Sequence, residues 1–438
     1  MTMNRLIVIC AFLLVSSSLA IGQDSNILTS EISQHLLDDK IGKVHKRFSP
    51  KTKKKFKKVF LVNVWNSIQK NNGKLVSIGK TNVSNTNGKS TITLPLTFEN
   101  ASLNLVVTAN ESNEIIGLVF TPLAYETPDW AKNKIFGKER LKVTTDTFKL
   151  PGELMVPENC NQCPVVILVH GSGPSDRNEG SSMSPNRLFQ DLAYGFALNG
   201  IATLRYDKRT HVYQKQLTNV DSFTLYEETI DDAVSAVRLS RSYDFLDTSR
   251  IYVLGHSLGA YASPLIAKED PNIKGIIMLA GPYRPLYEII PEQYEYILGL
   301  DGQITKKEQK LITMMEEEVK FINEQTSEAT KLKALGSDNL LPYFRQMRDY
   351  NPTNTINDLN CRVLITQGDR DYQVQYTTEY QQYQSTLTSN PNVDFKLIPG
   401  VNHQLIWGES PSIPSEYYKL GHPDLKVITE LSNWILEK

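Results

Sequence analysis

Residues 250–269 read RIYVLGHSLGAYASPLIAKE. The run from Ile251 to Leu254 is apolar and suits a buried strand, whereas the stretch from Leu258 onward has the spacing of a helix. Between them, Gly255-His256-Ser257-Leu258-Gly259 predicts a turn too tight for a side chain at either glycine. Such a strand–turn–helix raises Ser257 to the apex of the bend, and the helix N-terminus behind it favours negative charge. The same five residues also fit a plain glycine-rich bend. The sequence around them has to decide.

Working outward, the chain from about Leu141 alternates strands with helices. LKVTTDTFKLPGELMVPE reads as a strand pair, and PVVILVHGSG as a continuous apolar strand of the kind a sheet covered on both faces requires. In SPNRLFQDLAYGFALNG, the residues Leu188, Phe189, Leu192, Ala193, Phe196 and Ala197 share one helical face, and Gly200 ends the helix. IATLRYDKR is the next strand. FTLYEETIDDAVSAVRLSRSY is the next helix, with Thr224 and Glu227 spaced as a capping box. IKGIIMLAG, CRVLITQGD and VDFKLIPG supply three further strands, and PDLKVITELSNWILEK the final helix. The pattern is a doubly wound, mostly parallel α/β sheet. About 80 residues separate IIMLAG from CRVLITQGD, far more than an ordinary connection. Their helical character predicts an inserted cap over about 283–358.

A serine hydroxyl is a weak nucleophile until a base takes its proton. In this architecture the order along the chain is serine, acid, histidine. His403, in LIPGVNHQL just after an apolar strand, is the expected base. His422, at the lip of the last helix, suits a capping or surface role. Asp369 and Asp371 both end the strand CRVLITQGDRDYQV, and position alone does not separate them. The acid's task is to hold the imidazole tautomer and stabilise the imidazolium. A developing oxyanion needs two backbone N–H donors. Leu258 is one candidate, and Ser172 of the glycine-rich HGSGPSDRNE loop is the other. That loop lacks G-x-G-x-x-G and the lysine of a phosphate loop, so no nucleotide or other cofactor is expected. In RYDKR, a salt link between Asp207 and an arginine of the same segment, shaping the loop, is preferred over a substrate-carboxylate site.

These elements occur in the order of the α/β-hydrolase fold. VVILVHGSGPSDRNE, GIATLRYDKR, VLGHSLGA, LITQGDRDYQV and NHQL together resemble the α/β-hydrolase esterases related to bacterial carboxylesterases and to dienelactone-hydrolase or prolyl-oligopeptidase-like catalytic domains. The likeness spans Lys138 to Lys438. In that group the acid is the Asp of G-x-x-D-x-x-V, which maps onto Gly368, Asp371 and Val374, so the resemblance selects Asp371. The group usually carries a glycine soon after YDKR, where this chain has Thr210-His211.

The first 22 residues have the character of an export signal: Arg5, an apolar run from Leu6 to Val15, then small residues. The run is too short to span a bilayer. An exported, secreted or periplasmic protein with no transmembrane segment is expected. Cys160 and Cys163 then suit either a local disulfide or free thiols, a choice the sequence leaves open, and they lack the second ligand pair a metal site requires. Residues 24–122 read as a small α+β domain: EISQHLLDDKIGKVHKRF and PKTKKKFKKVFLVNVWNSIQKN with helical spacing, then an antiparallel meander. This stretch resembles a domain of unknown function, DUF3887, of NTF2- or cystatin-like shape. Residues 123–140 read as a linker, and 141–438 as the catalytic domain.

From Lys40 to Lys80 there are 13 Lys or Arg and no Asp or Glu, although the whole chain is near neutral at −1. A solvated face is the plain reading, and weak contact of the basic helix with an anionic surface the other. No aromatic-interleaved pattern suggests nucleic acid. The expectation is an exported serine hydrolase acting on a small-molecule ester through Ser257, His403 and Asp371. The alternatives are a peptidase or amidase with the same triad, and a non-catalytic binding protein of hydrolase shape.

Overall fold

The computed structural model describes residues 26–180, 184–217, 223–324, 332–335, 340–409 and 411–437. The segment read as an export signal, 1–22, lies outside the described residues. Two compact units emerge. One is the chain up to Tyr125 with Ser182–Asn186 and Pro414–Leu420; the other is Glu126–Ser181, Arg187–Ile413 and Gly421–Lys438.

In the first unit a helix over 26–37 (α1), Pro50–Lys55 (α2) and Lys58–Asn72 (α3) pack on an antiparallel sheet. Its strands are Leu75–Ile78 (β1), Asn82–Thr86 (β2), Lys89–Phe98 (β3), Ser102–Ala109 (β4) and Ile115–Pro122 (β5). β3 alternates in burial, so Ile92, Leu94, Leu96 and Phe98 face Leu28, Ile32, Leu36 and Trp65 of the helices. Each such side chain contributes roughly 1.5–3 kcal/mol by leaving water. Neither long helical run is continuous. The first breaks after residue 37 into a separate 3₁₀ turn, Ile41–Arg47, which buries Ile41 and Val44. The second breaks at Phe56, whose backbone is extended at φ −114°, ψ 100° and whose carbonyl accepts from His45 Nε2 at 2.8 Å.

The second unit is built on an eight-stranded sheet of Gly137–Thr145 (β6), Phe148–Val156 (β7), Cys163–Val169 (β8), Ala202–Tyr206 (β9), Leu246–His256 (β10), Gly275–Leu279 (β11), Arg362–Gly368 (β12) and Val393–Ile398 (β13). Across the sheet the order is β13-β12-β11-β10-β8-β9-β7-β6. β7 pairs antiparallel with both of its neighbours, and all other pairings are parallel. β6 begins inside the stretch read as a linker. β8 is buried at every residue: Val165, Ile167 and Val169 enter one apolar layer, Val166 and Leu168 the opposite one. That is the two-sided burial its unbroken apolar sequence called for. Leu188–Leu198 (α4) packs in the second layer with the last helix, Leu425–Leu436, and Gly200 adopts φ +79° just beyond α4.

Between β11 and β12 the chain forms the helices Leu286–Leu298, Lys306–Glu324, Leu341–Asp349 and Pro352–Asp358. The last two of these meet the helix Leu258–Glu269, where Tyr261 Oη donates to Met347 O and Tyr350 Oη donates to Tyr261 O. Cys160 and Cys163 form a disulfide at the entry to β8, and Cys361 is a free, half-buried thiol.

Candidate active site

Parallel strands end on one side of a sheet, and the loops there collect side chains distant in sequence. β10 ends at His256 and the helix Leu258–Glu269 begins two residues later. Ser257 between them sits at φ 55°, ψ −118°, a strained conformation for a residue with a side chain. Its N–H donates to Leu279 O at 2.9 Å, which ties the bend to β11. The glycines have a steric reason. A Cβ on Gly255 would lie 2.1 Å from Gly259 O, and one on Gly259 would lie 2.2 Å from Val169 O.

Beyond β12, Asp371 is buried and fully used. Its Oδ2 accepts from His403 Nδ1 at 2.6 Å and from Gln367 Nε2 at 2.9 Å; its Oδ1 accepts from the N–H groups of Gln373 and Val374. Asp369 does something else: its Oδ1 caps the Gly400 N–H at 2.7 Å. His403 is buried on the loop after β13, a loop folded by the Asn402 side chain accepting from Gln404 and Ile406 N–H. His422 lies elsewhere, bonded through Nδ1 to Asp191. Among the described residues the Ser257 hydroxyl takes part in no hydrogen bond, and the His403 imidazole bonds only to Asp371.

The loop after β8 wraps close to the serine: a Cβ on Gly171 would come within 3.2 Å of Ser257 Cβ. Among the described residues the N–H groups of Ser172 and Leu258 donate to no protein acceptor. The loop is held from every side. Lys208 Nζ reaches Gly171 O at 2.7 Å and Glu228 at 2.6 Å. Asp176 Oδ1 accepts from Asn178 and Gly180 N–H. Asp207 is paired with Arg177 at 2.8 Å, not with an arginine of its own segment. Arg205 and Arg209 pair with Glu153 and Asp232 instead.

Sequence reasoning missed His256 and Glu179. Glu179 Oε1 accepts from Gly171 N–H at 2.7 Å and lies 3.0 Å from His256 Nδ1. That second contact is poorly aligned for a hydrogen bond, so it acts as an ion pair. On the other side of the ring, His256 Nε2 donates to His403 O at 2.8 Å. Both ring nitrogens therefore face acceptors, an arrangement that favours the doubly protonated imidazolium. Burial alone would lower the His256 pKa, but Glu179, the His403 carbonyl and Asp371 outweigh it and the net shift is upward. Burial likewise pushes the Glu179 carboxyl up, yet His256 and the Gly171 N–H bring it below its ordinary value. For His170 burial outweighs the attraction of Glu179 and drives its pKa down to about 4.

A cavity of about 450 Å³ opens beside Asp371, lined by Tyr296, Arg370, Tyr372, Gly408 and Ser412 among others; neither Ser257 nor His403 lines it. No group of three or more His, Cys, Asp or Glu that could hold a metal occurs among the described residues. No described helix is long and apolar enough to cross a membrane.

A sheet of this order, with a strained serine turn and a paired histidine and aspartate on neighbouring loops, defines an α/β-hydrolase. Residues 163–411 match the family described as serine aminopeptidase, S33, and residues 29–118 match one described as a protein of unknown function, DUF3887. Esterase EstD of Thermotoga maritima is 35% identical over 352 residues, 78% of this chain and 78% of its own. The chain belongs to this S33 family of α/β-hydrolases and is a carboxylic ester hydrolase. Among solved structures, Est1E from Butyrivibrio proteoclasticus aligns over 68% of this chain and 99% of its own, at 21% identity and a TM-score of 0.42. Dienelactone hydrolase from Anabaena variabilis aligns over 69% and 97%, at 15% identity and a TM-score of 0.41.

Proposed function

We propose that this chain hydrolyses small carboxylic esters through Ser257, His403 and Asp371 and a covalent acyl-enzyme. His403 Nε2 takes the proton of Ser257 as Oγ attacks the ester carbonyl carbon. The N–H groups of Ser172 and Leu258 hold the oxyanion. His403 returns the proton to the departing alkoxide, leaving Ser257 acylated. Water then attacks that acyl carbon, losing its proton to His403, and Ser257 leaves with the carboxylic acid released. Asp371 stays ionised throughout, fixing the proton on Nδ1 so that Nε2 is free to act as base.

The observation that carries this reading is the buried 2.6 Å contact between Asp371 Oδ2 and His403 Nδ1. It is supported by the two N–H groups without protein acceptors beside a serine held in strained backbone. Ser257→Ala should lower kcat on p-nitrophenyl acetate by at least about 10⁴-fold. A fluorophosphonate should add once, at Ser257. Undiminished turnover in the variant, or labelling elsewhere, overturns the assignment.

An amidase reading is favoured by one observation, the family description as serine aminopeptidase. Likeness to an enzyme named as an esterase favours esters. Comparing kcat/KM on an ester and an amide with the same acyl group separates them. We also propose that residues 1–22 direct export and are removed, which places Cys160 and Cys163 in an oxidising compartment. N-terminal sequencing of the extracytoplasmic protein tests this; a cytoplasmic chain that keeps its first residues contradicts it.

A further inference from the structure

The break between α2 and α3 gathers two features that rarely occur together by accident. Six of the eight residues from Lys51 to Lys58 are lysine. Lys51, Lys54, Lys55, Lys57 and Lys58 are exposed. Among the described residues the ion pairs of this unit, Glu31 with Arg47 and His35 and Asp38 with Lys40, involve none of them. Among these charges stand three uncovered apolar side chains: Phe56 is 46% exposed, Val59 68% and Phe60 56%. The rings of Phe56 and Phe60 are 6.1 Å apart and open onto an apolar groove of about 290 Å³, lined also by Val64, Ile68, Leu118 and Phe120. Extended backbone at Phe56 ends one helix and lets the next begin, which is why Phe56 and Phe60 meet on one side.

From this surface we infer that the amino-terminal unit docks the enzyme on an anionic lipid membrane, with Phe56, Val59 and Phe60 entering the headgroup boundary and the lysines meeting lipid phosphates. Charge complementarity names the occupant. Five unpaired lysines exceed what one soluble carboxylate or phosphate requires, and they suit a sheet of many such groups. A soluble polyanion would satisfy the lysines but leave the exposed rings in water. An interfacial bilayer takes both, apolar side chains below and ammonium groups above. The inference does not depend on the ester chemistry.

The test is flotation of the full chain with vesicles of phosphatidylcholine alone or with 30 mole per cent phosphatidylglycerol. Each lysine near such a surface is worth roughly fivefold in partitioning. Binding to the anionic vesicles should exceed binding to neutral ones by at least fiftyfold, and should fall more than tenfold between 0.05 and 0.5 M NaCl. The variant Lys54→Glu/Lys55→Glu/Lys57→Glu/Lys58→Glu should lose the preference. Phe56→Ser/Phe60→Ser should lose at least tenfold on vesicles and nothing on a heparin column. Ester hydrolysis in solution should be unchanged in both variants, and their far-ultraviolet circular dichroism melts should match wild type, which reports that the amino-terminal unit folds. Equal binding to the two vesicle types overturns the inference. So does an unaffected charge-reversal variant. An unaffected phenylalanine variant with tight heparin binding overturns it in favour of a soluble polyanion.

Discussion

Replacing Glu179 by glutamine removes one charge from the wall of the site and keeps its shape. Glutamine can still accept from Gly171 N–H through Oε1, so that 2.7 Å bond survives. The His256 imidazolium, with a side chain only 6% exposed, loses its counter-charge. A buried cation in that position gives up its proton. A neutral ring then has one N–H for two acceptors, and either the contact toward position 179 or the bond to His403 O is lost. Breaking one partner of a buried pair costs about 3 kcal/mol, at the low end because glutamine remains polar. For a domain of this size that is a fall of about 5–10 °C in Tm. One of the two loops beside Ser257 loosens, the Gly171–Ser172 loop if the contact toward position 179 goes, or the His403 loop if the bond to His403 O goes. Deleting an oxyanion donor outright costs 10²–10³ in kcat; loosening it should cost roughly tenfold to a hundredfold with KM little changed. pH gives a further signature. The raised pKa of His256 contributes stability that is complete below its ordinary value near 6.5 and is lost as pH rises through the folded value. The lowered pKa of Glu179 contributes stability present above about 4.5 and lost in acid. The gap in Tm between wild type and Glu179→Gln should therefore be widest between pH 4.5 and 6.5 and should close in alkali. Hydrolysis of p-nitrophenyl acetate and thermal melts from pH 4.5 to 9 measure both. A kcat within twofold of wild type, with a Tm gap independent of pH, refutes the reasoning.

Asp371→Asn should lower kcat by about 10³–10⁴-fold, because an amide beside Nδ1 stabilises the wrong tautomer; steady-state kinetics check it. Gly259→Ala should give an insoluble or strongly destabilised chain, since the new methyl would lie 2.2 Å from Val169 O and 2.6 Å from His170 O; soluble yield and urea melts report this. His170 is buried and neutral, so its pKa near 4 against about 6.5 unfolded makes stability complete above pH 6.5 and lost as pH falls toward 4, by roughly 3 kcal/mol. His170→Gln should flatten the loss of unfolding free energy between pH 6.5 and 4, read from urea titrations at each pH.

The alternation of strands and helices was legible because burial on both faces of a parallel sheet leaves an unbroken apolar run, as in Val165–Val169. The serine turn was legible because its two glycines have no substitute at 2.1–2.2 Å from backbone. The acid was less so. Asp369 and Asp371 are both plausible strand-end residues that position does not separate; the resemblance selected Asp371, and in the structure their partners, Gly400 N–H and His403, tell them apart. Glu179 and His256 left no trace in the sequence pattern. Each is a single residue whose partners come from distant segments, and no spacing announces a contact made by folding. The same holds for Arg177, which takes Asp207 from outside the RYDKR segment. The helical spacing across Lys51–Asn72 was correct on either side of Phe56 but gave no sign of the break, because periodicity averages over one extended residue.

The hydrogen bond from His256 to the main chain of His403 has a bearing on protein engineering. The variable position inside G-x-S-x-G invites randomisation, since its side chain does not join the reaction. Here that side chain bridges the His403 main chain on one side and Glu179 on the other. Libraries meant to broaden substrate choice should leave residue 256 fixed and draw their diversity from the helices inserted after β11, where a substitution leaves both contacts untouched.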